Sequence, residues 1–248
     1  MDLGLAGRAA LVTGGASGIG AATALALARE GCDVTVVDCA PGASGSPVGA
    51  IESLGRRARA VQADVRDAEG AERVVREACE SFGRLDVLVC SAGVTADAPS
   101  WRMSEAQWDD VLGVNLKGAW NYNRAVAGRF REQRGGRIVN LASINGLRGK
   151  FGQANYAASK AGVIGMSKAL ARELGRYEVR VNVVAPGLVM TPMTDKLPAE
   201  FIEAALKESA LGHACTPEAC ADAIVFLCSD AARHVTGTVL RVDGGQYM

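Results

Sequence analysis

Residues 155–160 read Asn-Tyr-Ala-Ala-Ser-Lys, with Tyr156 and Lys160 four positions apart in a stretch of helical period. Side chains at i and i+4 share one helix face. An isolated tyrosine ionises near pH 10, too high for an effective base at neutrality. A nearby ammonium favours the phenolate, so Lys160 is expected to make Tyr156 a better acid. The competing reading is a surface pair with no role. A second constellation is Thr-Gly-Gly-Ala-Ser-Gly-Ile-Gly, Thr13–Gly20, between an apolar run and a helical segment. Glycines there let a backbone approach a pyrophosphate, and the helix N-terminus supplies unpaired N–H groups and a positive dipole end. Gly14, Gly18 and Gly20 set the spacing, with Gly15 extra and Ser17 and Ile19 between them. A Gly-rich turn serving only packing is the alternative; a strand before, a helix after and a second strand ending in an acid favour the phosphate cradle. That acid is Asp38, about twenty residues past the loop. It can accept hydrogen bonds from both adenosine ribose hydroxyls and repels a 2′-phosphate. NAD(H) is therefore the expected cofactor.

The elements that must position these groups are legible as an alternation. Short apolar runs occur at Arg8–Gly14, Asp33–Asp38, Ala58–Asp64, Leu85–Cys90, Gly136–Ala142, Glu178–Ala185 and Gly237–Asp243. Segments of helical period lie between them: Ala21–Glu30, Ala68–Phe82, Ser104–Phe130, Ala154–Leu174 and Pro217–Ser229. Near-continuous apolar strands alternating with helices imply a parallel sheet covered on both faces. With right-handed crossovers, the expectation is an α/β doubly wound Rossmann fold of seven strands. The Gly/Pro/Ser-rich stretch Cys39–Ala50 reads as a loop. No interdomain linker or internal repeat is evident, so residues 1–248 are expected to form one domain.

Composition narrows the function classes. Of 248 residues, 49% are hydrophobic and only 5% aromatic, which suits Ala, Val, Leu and Ile packed between helices and a parallel sheet. The formal net charge is zero and no run of like charges appears. A nucleic-acid partner and a polybasic membrane anchor are accordingly not expected. No apolar stretch approaches the roughly 18 residues of a membrane span, and the N-terminus has no signal-peptide pattern. Seven scattered cysteines without a C-x-x-C suit a reducing compartment, and the expected location is cytoplasmic. His213, Cys215 and Cys220 lie close in sequence but fit no familiar zinc spacing, so no metal is expected.

The G-x-x-x-G-x-G spacing with Thr13 in front resembles the short-chain dehydrogenase/reductase family, and the resemblance spans nearly the whole chain. Asp64–Val65 matches the segment that borders the adenine. Cys90–Gly93, Cys-Ser-Ala-Gly, stands where the family usually has Asn-Asn-Ala-Gly. Cys90, Ser91 and Gly93 are therefore expected near the cofactor, with some loss of rigidity from the missing amides. Pro186–Thr191 matches the loop that holds the nicotinamide carboxamide, with Val189 and Thr191 as contacts. NADP-using relatives commonly carry a basic residue where this chain has Ser17, and Cys39 rather than arginine follows Asp38. Both features agree with NAD(H).

Tyr156 and Lys160 form the Y-x-x-x-K of the same family. The resemblance implies four catalytic residues. Tyr156 exchanges a proton with the substrate oxygen while hydride moves to or from the nicotinamide. Ser143, thirteen residues upstream of Tyr156, orients that oxygen. Lys160 also binds the nicotinamide ribose. Asn115, taken as the middle of a long helix, holds a water that links Lys160 to solvent.

The stretch Gly146–Leu174 is most similar to the 3-oxoacyl-[acyl-carrier-protein] reductase branch and its relatives. The expected substrate is a small-molecule ketone or secondary alcohol of apolar character, such as a 3-oxoacyl or 3-hydroxyacyl thioester of CoA or a carrier protein. Arg134 falls at a carrier-docking place, whereas the second such place holds Tyr177 with Arg176 beside it, so Arg134 reads as a solvated arginine ahead of a docking residue. Val94–Met103, Ile144–Gln153 and Met190–Cys215 should shape the substrate, the last reading either as a lid over residues 190–215 or as an ordinary packed helix. A homotetramer is implied by the resemblance. Two alternatives stand: an NADPH-dependent carrier-protein reductase, and an NAD(H)-binding sensor or assembly subunit without turnover.

Overall fold

The computed structural model describes residues 2–40, 46–195 and 197–248. In chain order its elements begin with β1 (Ala9–Thr13), α1 (Gly18–Arg29), β2 (Asp33–Asp38), α2 (Val48–Ser53), β3 (Ala58–Gln62), α3 (Ala68–Phe82) and β4 (Val87–Cys90). They continue with α4 (Glu105–Leu112), a π-helical turn at Gly113–Gly118, α5 (Ala119–Glu132), β5 (Gly136–Leu141), α6 (Asn145–Arg148) and α7 (Ala154–Leu174). The last are β6 (Val179–Pro186), α8 (Ala199–Glu208), α9 (Pro217–Cys228) and β7 (Val239–Val242). The seven strands form one parallel sheet in the order β3-β2-β1-β4-β5-β6-β7. This is the α/β Rossmann-like arrangement the alternation implies.

Successive side chains of a strand face opposite sides of the sheet, and the core divides accordingly. Ala10 and Val12 of β1 join Val34, Val36, Val87 and Val89 beneath α1 and α9. Leu11, Leu88 and Ile138 point the other way and pack with Val74, Ala78, Tyr122 and Phe130 of α3 and α5. Helix ends follow local chemistry. Asp67 caps α3 by accepting from the Gly70 N–H at 2.9 Å, and Gly83 ends it in the left-handed region. Ser104 and Gln107 form a reciprocal capping box on α4. At β1 and β4 the winding changes direction, and the strand order reverses between them. That switch opens a crevice at the carboxyl ends of the strands, where ligands of such sheets sit.

Two expectations need correction. Ser104–Phe130 is helical as a continuous run from Glu105 to Glu132, but not uniformly α: a π turn at Gly113–Gly118 joins α4 to α5, and Asn115 lies in it. In the stretch read as a loop, Val48–Ala50 belong to α2; residues 41–45 lie outside the described residues. Among the described residues, no helix is long and apolar enough to cross a membrane.

Candidate active site

A cavity of about 520 Å³ opens at the carboxyl ends of β1, β2, β4, β5 and β6. This is within the size range of small-molecule sites. Gly14, Ser17, Gly18 and Ile19 line one wall, with Asp38 beyond them. Asp64 and Val65 close that end; Ser91 and Gly93 form the floor after β4; Val189 and Thr191 stand opposite. Gly14 has φ +64°, and a Cβ there would meet the Ala92 nitrogen at 2.6 Å. Ser17 precedes α1 in extended conformation and makes no side-chain cap, so the helix's first N–H groups have no side-chain acceptor from the cap. A glycine cradle ending at an uncapped helix N-terminus suits an anionic pyrophosphate, and the residues present fit a dinucleotide.

Three predicted site residues stand behind the cavity walls. Gly20 packs α1 on the turn, where a Cβ would overlap the Gly14 carbonyl oxygen. The Cys90 side chain turns into the core beside Asn123, its Sγ 3.5 Å from Asn123 Nδ2. Below it Asn123 Nδ2 donates to Asn140 Oδ1 at 2.8 Å and Asn140 Nδ2 to Ser167 Oγ at 2.9 Å. A buried amide chain thus braces this strand end where Cys90 itself offers only a weak partner. Asn115 is the third. Its Oδ1 accepts from the Val94 N–H at 2.8 Å; its Nδ2 donates to Val94 O at 3.0 Å and Ser159 Oγ at 3.1 Å. The amide is therefore engaged in holding the chain after Gly93, and both its N–H groups have protein acceptors.

Ser143, Tyr156 and Lys160 meet at the cavity floor. Ser143 follows β5, and its Oγ accepts from the Asn145 N–H at 3.1 Å. Lys160 is buried, and its Nζ donates to the Leu141 carbonyl at 2.9 Å. The same Nζ lies 5.7 Å from the centre of the Tyr156 ring. Burial pushes the Tyr156 phenol above its ordinary value; the nearby Ser143 hydroxyl opposes this, and the Asp97 carboxylate adds to it. The expected lowering by Lys160 is thus absent from this arrangement. The reason is that the ammonium is turned to Leu141 and is itself penalised by burial, which lowers its pKa to about 8. The cluster joins a protonated phenol, a hydroxyl and an easily discharged amine.

The Lys160 shift has a stability consequence with a definite sign. Below about pH 8 both the folded and unfolded chain carry its proton, and the buried ammonium costs stability. Between that value and the ordinary lysine value of about 10.4, only the unfolded chain holds the proton, so stability rises with pH. Urea unfolding of the wild type relative to Lys160→Met should show a difference that climbs across this window. A flat difference would mean the amine does not titrate there.

Two polar groups escaped sequence reasoning. Arg66 lines the cavity beside Asp64, donating to it from Nη2 at 2.6 Å and reaching Asp110 Oδ1 from Nη1 at 2.8 Å. This pairing holds the Asp64 carboxyl below its usual range. On the other side Arg148, after β5, donates to Glu208 Oε2 of α8 at 2.8 Å. Glu208 also accepts from Gln246 Nε2 at 3.1 Å, and the Leu188 N–H donates to Gln246 Oε1 at 3.0 Å. Helix α8 is therefore fastened through Glu208 to Arg148 and to Gln246, which in turn accepts from the chain after β6. No residue spacing announced either group, because the partners are far apart in sequence.

A seven-stranded Rossmann sheet with a glycine cradle at its switch point and a Ser–Tyr–Lys cluster beside it defines a class. The chain belongs to the short-chain dehydrogenase/reductase family of oxidoreductases; residues 14–246 match a family model described as enoyl-(acyl carrier protein) reductase. It is 46% identical over 241 residues to the 3-oxoacyl-[acyl-carrier-protein] reductase FabG of Thermotoga maritima, covering 97% of this chain and 98% of that one. The FabG protein of Staphylococcus aureus is 42% identical over 242 residues, with 97% and 98% covered. The short-chain reductase protein NovJ of Streptomyces niveus is 42% identical over 244 residues, with 96% and 93% covered.

Proposed function

We propose that this chain is an NAD(H)-dependent oxidoreductase that interconverts a ketone and a secondary alcohol, with a 3-oxoacyl thioester as the favoured substrate class. The observation that carries the reading is the Tyr156 phenol beside the Ser143 hydroxyl on the floor of a dinucleotide-sized cavity. The names of the relatives, which are reductases of 3-oxoacyl groups on a carrier protein, support the substrate class. Bound nicotinamide would supply or accept the hydride. The chain's own residues do the rest. Ser143 holds the carbonyl oxygen toward Tyr156, and Tyr156 donates the proton as that oxygen gains charge. Lys160 binds the nicotinamide ribose. Asn115 keeps Val94 and the adjoining Gly93 turn in place and would hold the water that links Lys160 to solvent.

Gly14, Ser17, Gly18 and Ile19 would hold the pyrophosphate, with Gly20 packing the turn. Asp64 and Val65 would border the adenine, Ser91 and Gly93 (with Cys90 behind them) the ribose, and Val189 and Thr191 the carboxamide. Asp38 favours NAD(H), and a second feature agrees with it. The cations lining the cavity among the described residues are Arg66 and Lys160. Arg66 is already paired with two carboxylates, which leaves little charge for a 2′-phosphate. Asp38→Ala should therefore shift the NADPH/NADH preference toward NADPH by about ten-fold, equivalent to ~1.4 kcal/mol. Unchanged preference would misplace the adenosine ribose.

The substrate side is apolar. Trp101 and Phe151 stand exposed in edge-to-face contact, one in each of the segments Val94–Met103 and Ile144–Gln153, and Met190, Met193 and Phe201 are exposed in residues 190–215. Arg134 donates to the Arg176 carbonyl at 3.4 Å, so two guanidinium groups share a surface that could meet an acidic carrier. A homotetramer is the assembly the family resemblance favours, and a cytoplasmic location follows from the cysteine usage.

The test is acetoacetyl-CoA reduction followed at 340 nm with NADH and NADPH in parallel. Faster turnover with NADH supports the reading as stated. Faster turnover with NADPH, or with a carrier-bound thioester only, supports the carrier-protein reductase. NADH binding without turnover on any ketone would leave a cofactor-binding subunit.

A further inference from the structure

Cys215 and Cys220 stand at the start of α9, and the reaction proposed above uses neither. Thr216 caps α9, its hydroxyl accepting from the Ala219 N–H at 3.2 Å. Cys215 is thus the residue before the cap and Cys220 the fourth helical residue. These are the two positions whose side chains meet in a hydrophobic staple. Here both are thiols, and their sulfurs lie 3.5 Å apart. Cys220 is fully buried; Cys215 is partly buried. Either sulfur can donate in this contact, and the Cys215 Sγ also lies 3.3 Å from the Thr216 carbonyl oxygen; with Cys220 as the donor the Cys215 thiol is held below its ordinary pKa against the cost of burial, with His213 assisting. Cys220 is pushed up in turn. An accessible thiolate beside a buried thiol is the arrangement of an attacking and a resolving cysteine.

The backbone ties this pair to the cavity. The Cys215 N–H donates to Leu188 O at 2.9 Å, and the Met190 N–H donates to Cys215 O at 3.1 Å. Cys215 is therefore bridged to Val189, in the segment that also carries Thr191. We propose that Cys215 and Cys220 are a redox-sensitive pair that closes to a reversible disulfide and, in closing, pulls on the Val189–Thr191 wall of the cavity.

With hydrogen peroxide as oxidant, the Cys215 thiolate attacks a peroxide oxygen, the O–O bond breaks and hydroxide leaves, giving a sulfenic acid. Cys220 sulfur then attacks Cys215 sulfur, the S–O bond breaks, and the oxygen departs as water with the Cys220 proton. Two electrons pass from the two thiols to one peroxide. A small-molecule thiol reverses the bond by exchange. Contraction from 3.5 Å to a bond of about 2.05 Å draws Cys215 toward α9, and residues 188–190 with it. The effect on cofactor rests on the reading of that wall given above; the disulfide itself does not.

The experiment treats the intact protein with hydrogen peroxide, blocks remaining thiols with iodoacetamide, reduces it, and labels newly freed thiols with N-ethylmaleimide for peptide mass spectrometry. Maleimide should appear on Cys215 and Cys220 together, vanish from Cys220 in Cys215→Ser, and in Cys220→Ser mark Cys215 alone, as sulfenic acid returned to thiol by the reduction step. Recovery of both as alkylated thiols, or of Cys215 as sulfinic acid with Cys220 reduced, overturns the pair. NADH affinity of the oxidised protein should fall several-fold, recover with dithiothreitol, and not change in peroxide-treated Cys220→Ser. A disulfide that leaves affinity unaltered overturns the coupling to the wall. Failure of the reduced protein to bind NADH strikes the cofactor reading instead.

Discussion

Tyr156→Phe is expected to lower ketone reduction by about 10²–10⁴-fold while NADH affinity stays close to that of the wild type. The substitution deletes one hydroxyl and keeps the ring that packs beside Lys160, whose Nζ lies 5.7 Å from its centre. Ser143 remains to hold the substrate oxygen, so binding should survive and the loss should fall on kcat. Burial holds the phenol above its ordinary pKa, so Tyr156 carries its proton throughout the neutral range. That is the state reduction needs. Alcohol oxidation needs the phenolate, so its rate should climb with pH where reduction is level. Single-turnover rates and NADH titration of the two proteins read both parts. Near-normal reduction by the phenylalanine variant would remove Tyr156 as the proton donor, and an equal loss of NADH affinity would make its role one of packing.

Much of this frame is written in short-range pattern. Strands buried on both faces must be apolar at successive positions, and Asp33–Asp38 has the same ends in sequence and structure. So does α7, Ala154–Leu174, whose period places Tyr156 and Lys160 on one face. Pattern fails where long-range packing decides. Over six residues the π turn at Gly113–Gly118 has no period that separates it from α-helix, and its Asn115 bonds Val94 twenty-one positions away. Arg66 and Asp110 are forty-four positions apart, and Arg148 and Glu208 sixty. The tyrosine–lysine spacing gave their proximity correctly. It could not give the desolvation of both groups, because burial is supplied by the sheet and by loops from elsewhere in the chain.

Gly20→Ala is expected to cost about 1–3 kcal/mol or more of stability and to abolish NADH binding at concentrations that saturate the wild type. The added methyl would overlap the Gly14 carbonyl oxygen and lie 2.7 Å from the Gly14 carbonyl carbon and 3.1 Å from Gly15 Cα. All three are backbone atoms, so no side chain can rotate away. The turn cannot retreat either. Gly14 holds φ +64° with the Ala92 backbone immediately behind it, and the Gly15 N–H donates to Val37 O at 3.2 Å. The helix must move instead, yet α1 is packed on α9 through Ala24, Leu27 and Ala28, which are buried against Ile224 and Val225. Any shift of α1 carries its N-terminal N–H groups away from the pyrophosphate position. Gly128→Ala on α5 is the control, since nothing lies within 4 Å of its Cβ position. It should raise stability by roughly 0.5–1 kcal/mol through reduced backbone entropy of the unfolded chain and leave NADH affinity unchanged. Thermal unfolding and NADH titration of both variants decide the matter. A Gly20→Ala protein with wild-type affinity would show that this turn does not cradle the dinucleotide.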